Sequence, residues 1–354
     1  MRYAVVGVGA LGRHHARIAA GLSGVRLVAV VDPHEEQGRN VAEPLGVPWL
    51  SDYRELIGQV DAVSIAVPTR LHRPVAVDLL AAGVATLVEK PLAATRDDGL
   101  AIVAAAEQHG VLLQVGHIER FNPAFVETAS RVDSPRYIRC ERLSPYAFRS
   151  MDIGAIHDLM IHDLDLVLTL AKSRVTRVEA FGVCLLGGHE DAVQARLTFA
   201  NGCVADLVAN RVHPQFRRHL QVWSAGGCVD ADLHRRQVCH YRPSARLLAG
   251  ELPSELAQKP GVDVATLKAE LFGQFIVAET PELAECDQLT AEIQSFVEAV
   301  RRRESPVVDG RAALAALDVA EQIRSCVMEH RWSGTAHGPV GPHVGDTIRH
   351  PRAA

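Results

Sequence analysis

No stretch of the 354-residue sequence comes near the roughly 20 uninterrupted apolar residues of a membrane-crossing helix, so no membrane partner is expected. The apolar start, Met1 to Val6, runs into Gly7 and Gly9, which argues against a signal peptide. Basic charge is not in excess. Lys and Arg number 37 against 42 Asp and Glu, the net charge is −5, and no long basic run stands apart from Arg301–Arg303, so a nucleic-acid partner is not expected. The seven cysteines are scattered, odd in number and never spaced Cys-x-x-Cys. That pattern suggests neither a zinc site nor a disulfide framework and makes a reducing cytoplasm the expected location. Internal repeats are lacking as well.

What is present is 48% hydrophobic and 22% charged, as in an ordinary globular protein, and long enough for two domains. Residues 2–115 alternate short β-branched runs (3–6, 27–31, 62–67, 86–88 and 111–115) with helical patterns. Near-continuous Val, Ile and Leu runs separated by helices predict a parallel sheet covered on both faces, wound from right-handed βαβ units. From about 121 the pattern changes. A helix over 123–131 and a strand over 137–143 lead through a polar loop at 144–152 to an apolar helix starting near 154. Longer strands follow at 174–183, 192–199, 204–210, 219–224 and 237–241, the second alternating apolar with polar residues as in a sheet with one buried face. Residues 243–285 read as irregular, two helices follow at 289–302 and 310–329, and the tail from 333, with His337, His343 and His350, is expected to be disordered. The predicted organisation is therefore 1–120, 121–332 and a tail at 333–354. The expected fold class is α/β, a doubly wound parallel sheet followed by an α+β domain with a large, mainly antiparallel open sheet.

Gly7, Gly9 and Gly12 form Gly-x-Gly-x-x-Gly directly after the first strand and at the opening of a helix, the context of a Rossmann dinucleotide site. The first glycine permits the tight turn, the second lets a pyrophosphate approach the backbone, and the third lets helix pack on strand. The helix N-terminus then favours the phosphates. Asp32 ends the second strand, where a carboxylate accepts ribose hydroxyls and repels a 2′-phosphate, so NAD is expected rather than NADP. Of His14 and His15, on the helix after the fingerprint, one is a candidate cofactor contact, with solvent exposure the competing reading.

A second chemical cluster lies at 154–166. At about 100° per residue, Asp158, His162 and Asp165 share a stripe on an otherwise apolar helix, and buried polar groups need partners. Two His and three Asp in nine residues raise the question of a metal, but one helix face offers too few of them together, and no metal is expected. Asp163 and Asp165 read as structural. His157 reads as a substrate contact or a support behind the site.

Several motifs resemble the glucose–fructose oxidoreductase / inositol dehydrogenase / MocA (Gfo/Idh/MocA) family. Pro68, Thr69 and His72 lie where that family has Thr-Pro-Asn-x-x-His. Glu89-Lys90-Pro91 is its most diagnostic tripeptide, and Arg120-Phe121-Asn122-Pro123 matches its Arg-Phe-Asn-Pro. Asp158, His162 and Asp165 match its Asp-x-Gly-x-His-x-x-Asp, with Met160 in place of the glycine, and Pro306, Gly310, Arg311 and Ala313 resemble its last-helix signature. The resemblance spans about residues 1–330. It implies hydride transfer without a metal, with Lys90, Asp158 and His162 as the catalytic set and Pro91 carrying a cis or strained peptide. The implied NAD contacts are Gly7, Gly9, Ala10, Leu11, Gly12, Asp32, Pro68, Thr69, His72, Glu89 and Lys90, with local pairing open to Glu89. The implied substrate contacts are His117, Arg120, Asn122 and His157.

The residue chemistry agrees with those roles. His162 can take a hydroxyl proton near neutral pH, Lys90 at a strand's carboxyl end can stabilise an alkoxide, and Asp158 can orient the imidazole or hold a substrate hydroxyl. The wording around Arg120–Pro123 and Asp158–Asp165 resembles the branch that contains UDP-N-acetylglucosamine 3-dehydrogenases. An NAD-dependent dehydrogenase of a ring hydroxyl on a nucleotide sugar is expected, with a free-sugar or inositol dehydrogenase as the near alternative and a non-catalytic NAD-binding regulator as the distant one. The basic residues of 211–219 would suit a diphosphate or form a solvated strand edge. An apolar sheet face in the second domain would favour a homo-oligomer, a dimer or tetramer.

Overall fold

The computed structural model describes residues 1–148, 153–332 and 338–342. The chain forms two compact units, Met1–Phe121 with Cys286–Glu321, and Asn122–Glu285 with the described residues from Gln322 onward.

The first unit opens with β1 (Arg2–Val6), α1 (Gly12–Gly21), β2 (Arg26–Val31), α2 (Glu35–Leu45), β3 (Trp49–Leu50), β4 (Ala62–Ile65), α3 (His72–Ala81), β5 (Ala85–Glu89), α4 (Arg96–His109) and β6 (Leu113–Gly116). All strand pairs are parallel, in the order β3-β2-β1-β4-β5-β6. This is the dinucleotide-binding order, whose reversal beside β1 leaves the ligand-binding crevice at the carboxyl ends of the strands. The register there is close, with Val6 opposite Ile65 and Glu89 opposite Gly116, so the residues after each strand emerge along one edge. Caps bound the helices. Thr95 accepts from Asp98 N at the start of α4, and Gly110 ends it in the left-handed region.

The second unit holds α5 (Pro123–Arg131), β7 (Tyr137–Leu143), a π-turn at Ile156–Met160 running into α6 (Ile161–Ala171), and β8 (Val175–Val183), β9 (Ala192–Phe199), β10 (Val204–Asn210), β11 (Arg217–Ser224), β12 (Gly227–Asp232) and β13 (Gln237–Pro243). Short helices α7 (Ala245–Leu248), α8 (Pro253–Leu256) and α9 (Val264–Glu270) precede β14 (Ile276–Glu279). The eight strands run β14-β13-β12-β11-β7-β10-β9-β8, with only β7–β10 parallel. One face is apolar, with Ile138, Ala195, Leu197, Leu207 and Val222 buried. The other is laced with ion pairs: Arg196 with Asp206, Arg217 with Glu141, and His219 with Asp230. The large apolar open face expected from the sequence is therefore mostly polar, because the alternating positions carry charges that pair across strands.

The last helices, α10 (Gln288–Arg302) and α11 (Gly310–Glu329), differ from expectation in their partner. The sequence placed both in the second domain, whereas α10 and most of α11 belong to the first unit. Leu289, Ile293, Phe296 and Val297 join Tyr3, Val5, Ala19 and Leu87 in one core, and the Phe296 ring meets Tyr3 edge-on at 6.2 Å. An amphipathic helix advertises an apolar face but not which sheet covers it. β3, β12 and β14 were also not anticipated. β3 has two residues, and β12 is glycine- and aspartate-containing, joined to β11 by a two-residue turn set by the Ser224–Gly227 pairing. The tail expectation is corrected at 338–342, where Val340 bridges Val183 and Cys184 N donates to Val340 O at 2.8 Å. The remaining tail, with His337, His343 and His350, and residues 149–152 of the polar loop lie outside the described residues.

Two buried carboxyl groups make the fold sensitive to single changes. Asp163 of α6 accepts from the Arg142 guanidinium of β7 at 2.7 to 3.1 Å, with both side chains buried. Removing the carboxylate in Asp163→Ala takes a buried ion-pair partner from the Arg142 guanidinium, and a loss of about 3–5 kcal/mol in denaturant unfolding is expected. Glu292 of α10 is fully buried with no hydrogen bond to either carboxyl oxygen. Burial first, then the charge of Glu89, pushes its carboxyl well above the ordinary 4.5, so it is neutral in the fold. Such a group contributes its full stability below 4.5 and loses it as pH rises through the raised value. Melting temperatures of Glu292→Gln should therefore gain on wild type as pH rises and match it at low pH; parallel curves would refute the assignment.

Candidate functional site

The fingerprint loop has the geometry its spacing implies. Gly7 sits at φ +83°, and a Cβ there would meet Ala66 O at 2.7 Å; a Cβ on Gly12 would lie 1.8 Å from Gly7 O. Around Gly9 the nearest heavy atom to an added Cβ is Gln37 Nε2 at 3.8 Å, so this side of the loop is open. Ala10 and Leu11 are exposed beside it. Helix α1 begins at Gly12, which aims its first-turn amides and positive dipole end at that opening. An open backbone cradle at a helix N-terminus fits a pyrophosphate.

Asp32 is buried and holds the loop from behind. Its Oδ2 accepts Val8 N at 3.0 Å and Gln37 Nε2 at 2.7 Å, and its Oδ1 accepts His34 N at 2.9 Å. Each carboxylate oxygen has two lone pairs, so Oδ1 keeps one for a ribose hydroxyl while the same side chain fixes the loop. Trp49 Nε1 donates to Asp32 O at 2.9 Å, adding a brace from β3. Pro68 and Thr69 follow β4 at the same sheet edge.

Lys90 directly follows β5 and is half-buried, ahead of a cis Lys90–Pro91 peptide. The carboxylate of Glu89 accepts the Lys90 amide at 3.2 Å through Oε2, and its Oε1 lies 2.9 Å from His15 Nε2. That second contact is close but falls short of an aligned hydrogen bond. Glu89 was expected on the cofactor or locally paired, and the geometry gives it the local pairing. His15 is wholly buried, with Nδ1 3.0 Å from Ser64 Oγ, which in turn is 2.5 Å from the Tyr3 hydroxyl. Solvent exposure is thus excluded for His15, the helix turn having directed it inward over the sheet.

His72 corrects another expectation. It was placed against the cofactor, but it is buried, with Nδ1 3.0 Å from Pro91 O and Nε2 3.0 Å from Val67 O. Burial holds its imidazole below the usual histidine value, and a neutral ring carries one N–H, so it donates to only one of these two carbonyls while lying between the loop after β4 and the one after β5. His117 and Asn122 were expected on substrate. His117 is 1% exposed, and Asn122, fully buried, caps α5 through Ala124 N at 3.0 Å and donates to Leu233 O at 2.9 Å. Arg120 is half-buried and remains a candidate.

In the second unit, Asp158 lies in the π-turn and is 7% exposed, while His157 and His162 are half-buried. Asp165, expected to be structural, is 1% exposed, three residues after His162 on α6. Glu190 supports the turn. Its Oε1 accepts Ile156 N at 3.2 Å, its backbone O accepts Ala155 N at 2.9 Å, and a Cβ on Gly154 would lie 1.9 Å from that carboxylate. Three of the basic residues of 211–219 are matched by acids. Arg211 pairs with buried Asp191 at 2.8 Å and donates to Ile153 O at 2.6 Å, Arg217 pairs with Glu141 at 2.8 Å, and His219 with Asp230 at 3.0 Å. Among the described residues no three His, Cys, Asp or Glu side chains converge on a possible metal position.

Sequence reasoning missed Ser64, Tyr3, Gly116, Gln37, Arg142 and Glu190. The one available signal was Ser64, a polar residue inside the otherwise apolar run Ala62–Ile65.

Comparison with known proteins agrees with this geometry. Residues 1–117 match the model of an oxidoreductase family with an NAD-binding Rossmann fold, and 123–229 match the GFO/IDH/MocA C-terminal domain. The chain is 34% identical to UDP-N-acetylglucosamine 3-dehydrogenase of Acidithiobacillus ferrooxidans, over 92% of this chain and 97% of that one. It is 30% identical to scyllo-inositol 2-dehydrogenase (NAD(+)) of Bacillus subtilis over 60% of this chain and 68% of that one. A solved structure of the Acidithiobacillus ferrooxidans enzyme superposes with a TM-score of 0.80 at 32% identity, covering 92% of this chain and 97% of that chain. Scyllo-inositol dehydrogenase from Lactobacillus casei, with bound NAD(H) and scyllo-inositol, shares the fold at a TM-score of 0.70 and 18% identity, covering 92% of this chain and 96% of that one. With its fingerprint, its Glu89-Lys90-Pro91 strand end and these likenesses over nearly its whole length, the chain belongs to the Gfo/Idh/MocA family of NAD-binding oxidoreductases.

Proposed function

We propose that this enzyme is an NAD-dependent dehydrogenase of a nucleotide sugar, oxidising a ring secondary alcohol of UDP-N-acetylglucosamine to a ketone. The observation that carries the substrate is the likeness over 92% of the chain to a UDP-N-acetylglucosamine 3-dehydrogenase. When bound, NAD accepts the hydride leaving the carbinol carbon. The open backbone at Gly9, Ala10 and Leu11 takes the pyrophosphate, Asp32 Oδ1 takes a ribose hydroxyl, and Pro68 and Thr69 border the same sheet edge. His162 takes the hydroxyl proton and Lys90 stabilises the developing alkoxide. Asp158 orients the imidazole, with Arg120 and His157 as substrate contacts.

One observation favours a second reading. The basic residues near 211–219 are largely neutralised by Asp191, Glu141 and Asp230, which removes one argument for a diphosphate and suits a free polyol such as inositol. We also propose action in a reducing compartment, the cytoplasm, in keeping with seven free cysteines, four of them buried. Self-association as a dimer or tetramer is proposed through the apolar end of the open sheet, where Trp223 and Phe272 are exposed. Light scattering of the purified protein checks it.

A panel of nucleotide sugars, free sugars and polyols scored by nicotinamide absorbance should show turnover with UDP-N-acetylglucosamine. Turnover with inositol or glucose, together with neither binding nor turnover of the nucleotide sugar, would reject the first reading. Lys90→Met should lower kcat by about 10²–10⁴-fold while NAD still binds; unchanged turnover points to a non-catalytic role for Lys90. Asp32→Ala should weaken NAD about ten- to a hundredfold and narrow its preference over NADP, as a titration with both cofactors would read.

A further inference from the structure

Beneath α1 and α10 the apolar face of the parallel sheet is interrupted by a polar seam. It starts at the Tyr3 hydroxyl on β1, crosses Ser64 on β4 and the His15 ring on α1, and reaches Glu89 at the end of β5. Tyr3, Ser64 and His15 are fully buried and Glu89 is 8% exposed. Ser64, His15 and Glu89 have the order of a nucleophile–base–acid triad. With Ser64 buried, and with Tyr3 occupying its hydroxyl, that reading fails. Apolar residues of similar volume would pack under a helix without desolvating four polar groups, so their joint presence asks for a purpose other than stability.

The seam ends on one peptide group. Glu89 Oε2 accepts the amide of Lys90, while His15 draws the other oxygen of the same carboxylate. Room for that carboxylate is built in. A Cβ on Gly116, the residue paired with Glu89 on β6, would stand 2.9 Å from Glu89 Cδ and Oε2. On the far side, His72 Nδ1 lies 3.0 Å from Pro91 O and 3.3 Å from Leu92 O. The backbone on both sides of Lys90 is thereby tied to buried imidazoles, one of them on the helix whose N-terminus faces the cofactor cradle.

We propose that His15 is a positioning residue for Lys90: through the Glu89 carboxylate it fixes the Lys90 peptide relative to α1, and so the place of the ammonium relative to the cofactor. This rests on the reading of Lys90 as the group that stabilises the alkoxide. Misplacement of a reacting group by about 1 Å costs on the order of a hundredfold in rate without weakening the binding of distant ligand parts.

The test uses the full chain with NAD and UDP-N-acetylglucosamine, or the panel member turned over in its place. His15→Leu should lower kcat by about ten- to a hundredfold with the Kd for NAD unchanged. His15→Gln, which keeps an N–H for the carboxylate, should recover most of the loss. Adding Glu89→Gln to His15→Leu should lower kcat no further. Gly116→Ala, which displaces the same carboxylate from the other side, should reproduce the kcat loss and serves if His15→Leu does not fold. A readout independent of turnover is available because the chain has four lysines, Lys90, Lys172, Lys259 and Lys268. In trace acetylation read by peptide mass spectrometry, Lys90 should become more reactive in His15→Leu, relative to the other three, and return to the wild-type rate in His15→Gln.

Wild-type kcat in both His15→Leu and Gly116→Ala would overturn the proposal. So would a loss confined to NAD affinity, multiplicative effects of the two seam substitutions, or unaltered Lys90 labelling. If Lys90→Met loses turnover while the seam variants keep it, only the positioning role fails. If Lys90→Met keeps turnover, the reading beneath it fails, and the positioning role with it.

Discussion

The charge of Glu89 organises the first unit. It sits almost out of water at the end of a central parallel strand, where an isolated carboxylate would cost several kcal/mol. Its neighbours are arranged accordingly. His15 stands against one oxygen and the Lys90 amide against the other, Gly116 leaves the space, and the Glu292 carboxyl is pushed well above its ordinary value, first by its own burial and then by the charge of Glu89. Parallel register then carries the consequence outward, since fixing the end of β5 fixes the residue that follows it at the edge where β1 and β4 also end.

The second unit solves a similar problem with a different pair. An apolar helix carrying Asp158 and His162 could rotate or slide over an apolar sheet at little cost, because dispersion contacts are not directional. The Arg142–Asp163 fork sets both its depth and its rotation, and Glu190 fixes the entry of the π-turn that precedes it. Asp158 lies within the π-turn and Asp165 in α6, and both are buried.

Burial also explains why the polar residues expected on ligands divide as they do. Gly7, Gly9, Gly12 and Asp32 lie where backbone and carboxylate can meet a nucleotide. His72 and Asn122 were drawn by type to the same surface, but a loop carbonyl and a helix start claimed them first. Motif membership reports that a side chain is needed. Only its hydrogen-bond partners report what for.

The sequence by itself determined the two architectures and the cofactor fingerprint, because strand and helix periodicity and the glycine spacing are local properties of consecutive residues; it nominated the residues proposed to bear the chemistry. It determined the resemblance to an oxidoreductase family by the same means. Tertiary structure decided which sheet covers α10, that the open face of the second sheet is paired charge rather than apolar surface, that the basic residues near 211 are answered by acids, and that His15 lies inside. Each of these depends on partners distant in sequence. Burial, ion pairing and helix docking are settled by which surfaces exclude water together, and no window of neighbouring residues contains that information.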